Sequence, residues 1–315
     1  MHSSHPKPIS HISAVLLIAS VATIWGFGFP MTRFALDGRI SVGALMSLRF
    51  VLAGVLMFAI IRAKGIPIAR RGVLDGIWLG LVLAVIFWSQ TDGMRFTTTA
   101  KSGFITGLYV PLTPLITVAV GQRVKLTSAV GAIIATSGLY LLMRPTVGGP
   151  AMFATVNRGD IETLVCAVLC AIHLIMMGAY AKRTNAWLLA GTQVMVGGIV
   201  SVMVTAFLPA PYGFQNLPQT LPQLSVWGPT IYLALFSTVF AFWGQATAQT
   251  RLSPVETAVL FCIEPVTAAI LSVLWLKEPM TMQQAIGGGI IVIAIIVPEV
   301  VPHLARAIIV PDTRP

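Results

Sequence analysis

Long stretches without a formal charge recur along this chain and decide what it can fold into. They cover residues 8–32, 76–91, 102–122, 126–143, 163–181, 184–250 and 279–298, and a proline- and glycine-rich segment, 209–222, divides the longest. A helix of about 20 apolar residues spans the hydrocarbon core of a bilayer. Only 10% of the residues are charged, whereas about a quarter of a soluble domain is charged. We therefore predict a chain that crosses a membrane many times.

The fold class that these stretches indicate is an all-α integral membrane protein. We place ten transmembrane helices near residues 12–34, 41–62, 72–94, 102–121, 126–143, 161–180, 186–208, 226–248, 254–276 and 282–301. A transmembrane β-barrel is excluded because its strands are short and alternate polar with apolar residues. The first helix is too long for the apolar region of a signal peptide, so we keep it in the mature protein.

The distribution of basic residues predicts the orientation. With both termini in the cytoplasm, twelve lysines and arginines fall in inner segments and seven in outer segments. Positive residues concentrate on the cytoplasmic side of membrane proteins, so we expect a multi-pass protein of the bacterial inner membrane with cytoplasmic termini. The lipid bilayer accounts for the net charge of +10, and no nucleic acid partner is needed.

A weak internal repeat organises the chain. Residues 87–90 (FWSQ) recur as residues 242–245 (FWGQ), and Pro111 recurs as Pro265, 154 residues later. We predict two five-helix repeats, residues 1–150 and 151–315, which enter the membrane from opposite sides because five is odd. Inverted repeats around a central cavity are typical of transporters. Both prolines should bend their helices near the middle, either to build a binding site or only to kink packed helices.

Glu264 is the most informative single residue. Ser253, Pro254 and Glu256 form a capping box that fixes the start of the helix, so Glu256 is explained as a cap. Glu264 then lies about 15 Å into a core about 30 Å thick. A carboxylate at that depth is expensive unless it is paired, protonated or facing water, and is by default functional.

Arg49 is the basic residue at comparable depth, and two interpretations stay open. Arg49 and Glu264 could form a structural ion pair, as buried charges commonly do. Alternatively, both border a central cavity, where Arg49 holds a substrate carboxylate and Glu264 holds an amine or a proton.

Other polar and aromatic residues complete the candidate site. The segment TIWGFGFPMTRF, residues 23–34, is aromatic and bendable, and Gln193 occupies the repeat counterpart of Arg49. Cys166, Cys170 and His173 share one helical face, but three ligands on one helix lack a fourth, so we predict no metal and no cofactor. The candidate substrate-binding residues are Trp25, Phe29, Arg49, Gln90, Tyr109, His173, Gln193, Gln245 and Glu264.

Several motifs together resemble one known family. WGFGFP in the first helix, LRFVLAG around Arg49 and IEPVTAAILSVLWLKEPMT, residues 263–281, are similar to the EamA-type transporters of the drug/metabolite transporter superfamily. The resemblance implies a basket of helices around a central cavity, alternating access, and export of amino acids or other small metabolites. In the first half, Val110 replaces the glutamate, so a symmetric role for both halves is not expected.

The predicted function is therefore a secondary transporter of small metabolites, acting as a monomer or homodimer. Coupling stays open, since Glu264 could carry a coupling proton but facilitated diffusion needs none. A passive channel or facilitator is the main alternative. An intramembrane enzyme would need a nucleophile with its base, or a metal set such as His-Glu-x-x-His. The sequence contains no such set.

Overall fold

A computed structural model describes residues 9–97, 99–143, 156–210, 212–276 and 280–309, and within these ranges all regular structure is helical. The segment 144–155 that joins the two predicted repeats and the Lys-Glu-Pro motif at 277–279 lie outside the described residues. The helices are α1 His11–Asp37, α2 Val42–Ala63, α3 Arg70–Gly93, α4 Thr99–Gly107, α5 Tyr109–Ala119, α6 Leu126–Met143, α7 Arg158–Tyr180, α8 Ala186–Phe207, α9 Leu217–Thr220, α10 Leu224–Ala234, α11 Ala241–Ala248, α12 Pro254–Phe261, α13 Ile263–Leu276 and α14 Met282–Ile309.

Eight helical segments in the described ranges are long and apolar enough to cross a membrane. They are α1, α2, α3, α7, α8, and the continuous stretches Ser102–Ala119, Leu224–Ala248 and Pro254–Leu271. Helices α6 and α14 carry shorter apolar stretches, Leu126–Leu142 and Met282–Ile296. Within the described ranges the fold is all-helical and multi-pass. Eight of the ten predicted spans are long and apolar enough to cross a membrane, and the helix bounds agree closely with the predicted ones, except that α14 extends to Ile309.

Two of the spans are interrupted where proline was expected to bend them. The first breaks at Leu108, between α4 and α5, and the second at Cys262, between α12 and α13. Each break lies three residues before a proline, Pro111 or Pro265. Proline supplies no amide donor and crowds the carbonyl four residues earlier, so the helix is interrupted on the N-terminal side of the proline. The two breaks are 154 residues apart, the same spacing as the prolines.

A third span contains a π-helical segment, Leu235–Phe240, between α10 and α11. The extra residue per turn widens the helix locally, and such segments are frequent at functional sites. Nothing in the sequence analysis predicted it.

Helix α1 packs against α10, α11, α12 and α13. Its Gly26 allows the closest approach, because a Cβ there would lie 2.8 Å from the Glu264 carbonyl oxygen and 2.7 Å from Thr267 Cβ. Gly26, the first glycine of the WGFG segment, therefore sets how closely α1 approaches the turn that carries Glu264.

Helices α6 and α14 pack closely against each other at Gly138 and Gly287. The small residues of these two helices were expected to mark close packing, within one chain or between two copies. Gly138 and Gly287 serve a contact within the chain.

Ion pairs connect the helix ends. At one end Asp92, at the end of α3, accepts hydrogen bonds from Arg95 at 3.1 Å and Arg158 at 2.9 Å. At the opposite end Asp75 accepts one from Arg183 Nε at 2.9 Å. The predicted capping box of Ser253 and Glu256 is present, and Glu256 also accepts a 2.9 Å hydrogen bond from Lys125.

Substituting Gly26 should destabilise the packing of α1 on α13. We expect Gly26→Ala to lower the free energy of unfolding by about 1–3 kcal/mol, because the added methyl overpacks a filled contact. Thermal unfolding of the protein in detergent measures the effect. Gly288→Ala is the matched control, since a Cβ at Gly288 meets nothing within 4 Å and its melting temperature should not fall. Equal melting temperatures for the two variants would contradict this packing.

Candidate functional site

One cavity lies among the central helices, and its wall is formed by residues of α1, α2, α3, α4, α5, α7, α10, α11, α12 and α13 together with the π segment. Its volume is about 860 Å³, including the part that is open to the outside. Thr32 and Met94 line it near the ends of α1 and α3, and we call this end of the cavity the mouth end.

Arg49, on α2, is buried in the cavity wall, and none of the acidic residues in the described ranges pairs with it. Its Nε donates to Thr238 Oγ1 at 2.8 Å, and its Nη2 donates to the carbonyl and hydroxyl oxygens of Ser237, each at 3.2 Å. The guanidinium also stands 4.6 Å from the centre of the Phe87 ring and 5.3 Å from that of Phe50. Uncharged groups therefore hold the cation, and its Nη1 donates no hydrogen bond to any described residue.

The π segment supplies the main acceptor for this arrangement. The Ala241 amide donates to the carbonyls of Phe236 and Thr238 and passes over that of Ser237. The Ser237 carbonyl instead accepts from Arg49 Nη2 and from Trp25 Nε1, the latter at 2.9 Å. An interrupted helical ladder frees a carbonyl that a regular helix would use itself, so the local geometry of this span positions both side chains.

Glu264 lines the same cavity from the first turn of α13, just after the helix break. Its side chain makes no hydrogen bond and no ion pair within the described part of the chain. The carboxylate is therefore available to a group that enters the cavity.

Arg49 and Glu264 do not form an ion pair with each other in the structure described above. Arg49 is committed to Ser237 and Thr238, whereas the Glu264 carboxyl group accepts no hydrogen bond from any residue that the structure describes. Of the two interpretations that the sequence left open, the geometry matches the one in which both residues border a cavity separately.

Aromatic side chains form much of the wall between these two charges. The Trp25 ring centre lies 4.8 Å from that of Phe261 and 5.8 Å from that of Phe242. Phe242 also contacts Phe87, with ring centres 6.1 Å apart. The cavity thus combines an apolar, π-rich wall with a small number of polar groups, as small-molecule sites generally do.

The end of the cavity opposite the mouth contains two hydrogen-bonded pairs of polar side chains, Gln245 with Gln249 and His173 with Gln193. Gln245 donates to Gln249 Oε1 at 3.1 Å, and Gln249 donates to the main-chain oxygen of Leu174 at 3.0 Å. His173 shares a 2.9 Å hydrogen bond with Gln193 Oε1. We call Gln245, Leu174 and His173, which all line the cavity, its floor.

The structure brings most of the sequence-predicted site residues together. The lining includes Trp25, Arg49, Gln90, Tyr109, His173, Gln245 and Glu264. Gln193 is not part of the lining: it is fully buried and reaches the cavity only through its hydrogen bond to His173, which stands in front of it. The side chain of Phe29 lies outside the described residues.

Several wall residues were missed as site candidates, namely Phe87, Ser237, Phe242 and Phe261. The repeated FWSQ and FWGQ segments contained a usable signal, because Phe87 and Phe242 occupy the same place in both and contact each other. Ser237 had no such signal, since its role depends on the π segment.

Cys166, Cys170 and His173 form the helical face that was considered as a metal site. Cys166 and Cys170 are free thiols with their sulfurs 3.8 Å apart. Across the described ranges, no three His, Cys, Asp or Glu side chains are grouped as metal ligands would be.

Comparisons with known proteins agree with this architecture. The chain is 28% identical over 290 residues to an uncharacterized transporter of Archaeoglobus fulgidus, covering 92% of this chain and 86% of that protein. It is 22% identical to the uncharacterized transporter YetK of Bacillus subtilis, covering 90% of this chain and 87% of the relative. One solved crystal structure, 20% identical, matches with a TM-score of 0.75 over 93% of this chain and 98% of its own. That likeness concerns the fold alone.

The family model described as the EamA-like transporter family matches twice, over residues 12–144 and 157–298. Together the two matches cover nearly the whole chain, including every described cavity residue. This chain therefore belongs to the EamA-like transporter family, and it is a multi-pass membrane transporter.

Proposed function

We propose that the protein is a secondary transporter that exports small metabolites, such as amino acids and related compounds, by alternating access through the central cavity. The observation that carries the proposal is that Arg49 and Glu264 line one cavity without pairing with each other. A charge inside a membrane protein that lacks a partner normally serves a substrate or ion pathway. In this proposal Arg49 binds an acidic group, and Glu264 binds an amine or carries a coupling proton.

The paired helix breaks and the ion pairs at both ends support alternating access. The breaks at Leu108 and Cys262 occupy corresponding places in two proposed inverted five-helix repeats, and interrupted helices at such places surround the site of many transporters. The Asp92 ion pairs lie towards the mouth end and the Asp75 ion pair at the other end. Both sets are made in this structure, and in an alternating-access cycle opening at one end would have to break the set at that end.

The proposed setting is the bacterial inner membrane with both termini in the cytoplasm. The excess of basic residues in the segments on the side of the termini supports this orientation. The mouth end then faces away from the cytoplasm.

An export screen tests the function directly. Cells that express the chain should release at least one small metabolite at a higher rate than cells with an empty vector, measured by untargeted mass spectrometry of the medium. We expect Glu264→Gln to abolish or alter this release while the protein remains in the membrane. Asp37→Asn, which removes an exposed carboxylate paired with Arg33, is the matched control and should export normally. Unchanged release by the Glu264 variant would remove this residue from the mechanism.

Arg49 should be sensitive even to a change that keeps its charge. Thr238 and Ser237 offer three acceptor atoms to Arg49. A lysine ammonium has three donors, so it would have none left for a ligand, whereas the planar guanidinium has five. We expect Arg49→Lys to reduce export of the same metabolite by about tenfold or more, whereas Arg33→Lys on the exposed surface leaves it unchanged. Export at the wild-type rate by the Arg49 variant would contradict a role in substrate binding.

Proton coupling separates a transporter from a passive facilitator. In proteoliposomes, a pH gradient should drive the exported metabolite above its equilibrium distribution, and Glu264→Gln should abolish that accumulation. Equilibration without accumulation under every gradient would favour the facilitator.

A further inference from the structure

Two glutamines, Gln245 and Gln249, orient each other's amide groups at the cavity floor. The main-chain oxygen of Leu174 can only accept a hydrogen bond, so Gln249 must turn its Nε2 towards it. Gln249 Oε1 then faces Gln245, which has to supply its own Nε2. The Oε1 of Gln245 is consequently held on the side away from Gln249.

This oriented oxygen has no partner in the protein. Gln245 is 1% exposed and lines the cavity, and its Oε1 is buried without a hydrogen-bond donor among the described residues. A buried acceptor that lacks a donor is unfavourable. A donor on a molecule in the cavity would satisfy it.

Contacts along α1 show how far from the mouth end the segments that carry Glu264 and hold Arg49 lie. Gly28 packs beside the Ser237 hydroxyl, which binds Arg49, and Gly26 packs beside the main chain of Glu264. Residues rise about 1.5 Å each along a helix, so the Glu264 main chain lies roughly 3 Å farther from the mouth end than Ser237.

Gln245 lies deeper again. Its neighbour Gly244 packs beside Val21, which is seven residues before Gly28 on α1 and thus about 10 Å farther from the mouth end. From the mouth end inward, the order is therefore Ser237, which holds Arg49, then the main chain of Glu264, then that of Gln245.

We propose that Gln245, oriented by Gln249, is a specificity-determining residue that accepts a hydrogen bond from a protonated amine of the substrate. The substrate lies lengthwise, with its acidic group on Arg49 and its amine between Glu264 and Gln245. The inference rests on the proposed transport function and adds the chemical class of the substrate to it. An ammonium group has three donors and satisfies both acceptors, whereas a hydroxyl has one. The rings of Trp25 and Phe261 beside it also attract a cation.

Gln249 is a positioning residue in this arrangement, and substitutions there separate orientation from simple packing. Gln249→Met keeps the volume but releases the Gln245 amide, which is then free to turn. Gln249→Glu restores the pattern when its buried carboxyl is protonated, because the acid donates to Leu174 O and accepts from Gln245. Gln223→Met, in an exposed loop where Gln223 bonds only the Gln219 carbonyl, is the matched control.

The test measures transport of matched compounds by the full chain in proteoliposomes. The probes are apolar and aromatic L-amino acids, together with the 2-hydroxy acid and the des-amino acid of each carbon skeleton. For a transported skeleton, we expect the kcat/KM of the amine to exceed that of both analogues by about tenfold or more. Gln249→Met should bring this ratio close to one, and Gln249→Glu and Gln223→Met should retain it.

The outcomes separate this inference from the function on which it rests. Equal transport of the amine and its hydroxy analogue, or an unchanged ratio in Gln249→Met, overturns the amine assignment and leaves the transporter intact. The same holds if the export screen identifies a carried compound that has no amine. If neither the matched probes nor the export screen reveals a carried compound, the proposed function itself is contradicted.

Discussion

The structure depends on holding two opposite charges inside an apolar bundle without letting them neutralise each other. A buried guanidinium or carboxylate is strongly unfavourable unless other groups compensate it. Arg49 is compensated by a freed carbonyl, two hydroxyls and aromatic faces, none of which carries a formal negative charge. Glu264 has no such set among the described residues and instead borders the cavity. Burying both groups unpaired is unfavourable in free energy, and this is explained if a molecule that enters the cavity binds to them.

The backbone irregularities are the means by which the helices build this site. The π segment releases the Ser237 carbonyl to Trp25 and Arg49, and the break at Cys262 starts a new helix whose first turn presents Glu264. Gly26 lets α1 approach that turn. Irregular backbone at membrane depth is tolerated where it is enclosed by protein or lines a cavity. The distortions and the cavity are thus parts of one arrangement.

The sequence predicted the apolar spans and the two proline-linked breaks, and it singled out Arg49 and Glu264, because apolar length, missing amide donors and isolated charges are local properties. The repeated FWSQ and FWGQ segments pointed to cavity residues, although the phenylalanines, and not only the glutamines, form the wall. The π segment could not be foreseen, since it depends on which neighbouring side chains claim the Ser237 carbonyl. Gln193 was placed beside the cavity from repeat symmetry, but His173 stands between them. Tertiary packing decides which of these two polar side chains lines the cavity.

A double-mutant cycle tests most directly whether Arg49 and Glu264 act on the cavity separately. The free energies of unfolding of Arg49→Met, Glu264→Gln and the double variant are compared with that of the unmodified protein in the same detergent. Residues that share no contact are additive within about 0.5 kcal/mol, and the account predicts this result. A coupling energy of about 2 kcal/mol or more would mean that the two side chains form an ion pair, and it would contradict a cavity that keeps both charges for a substrate.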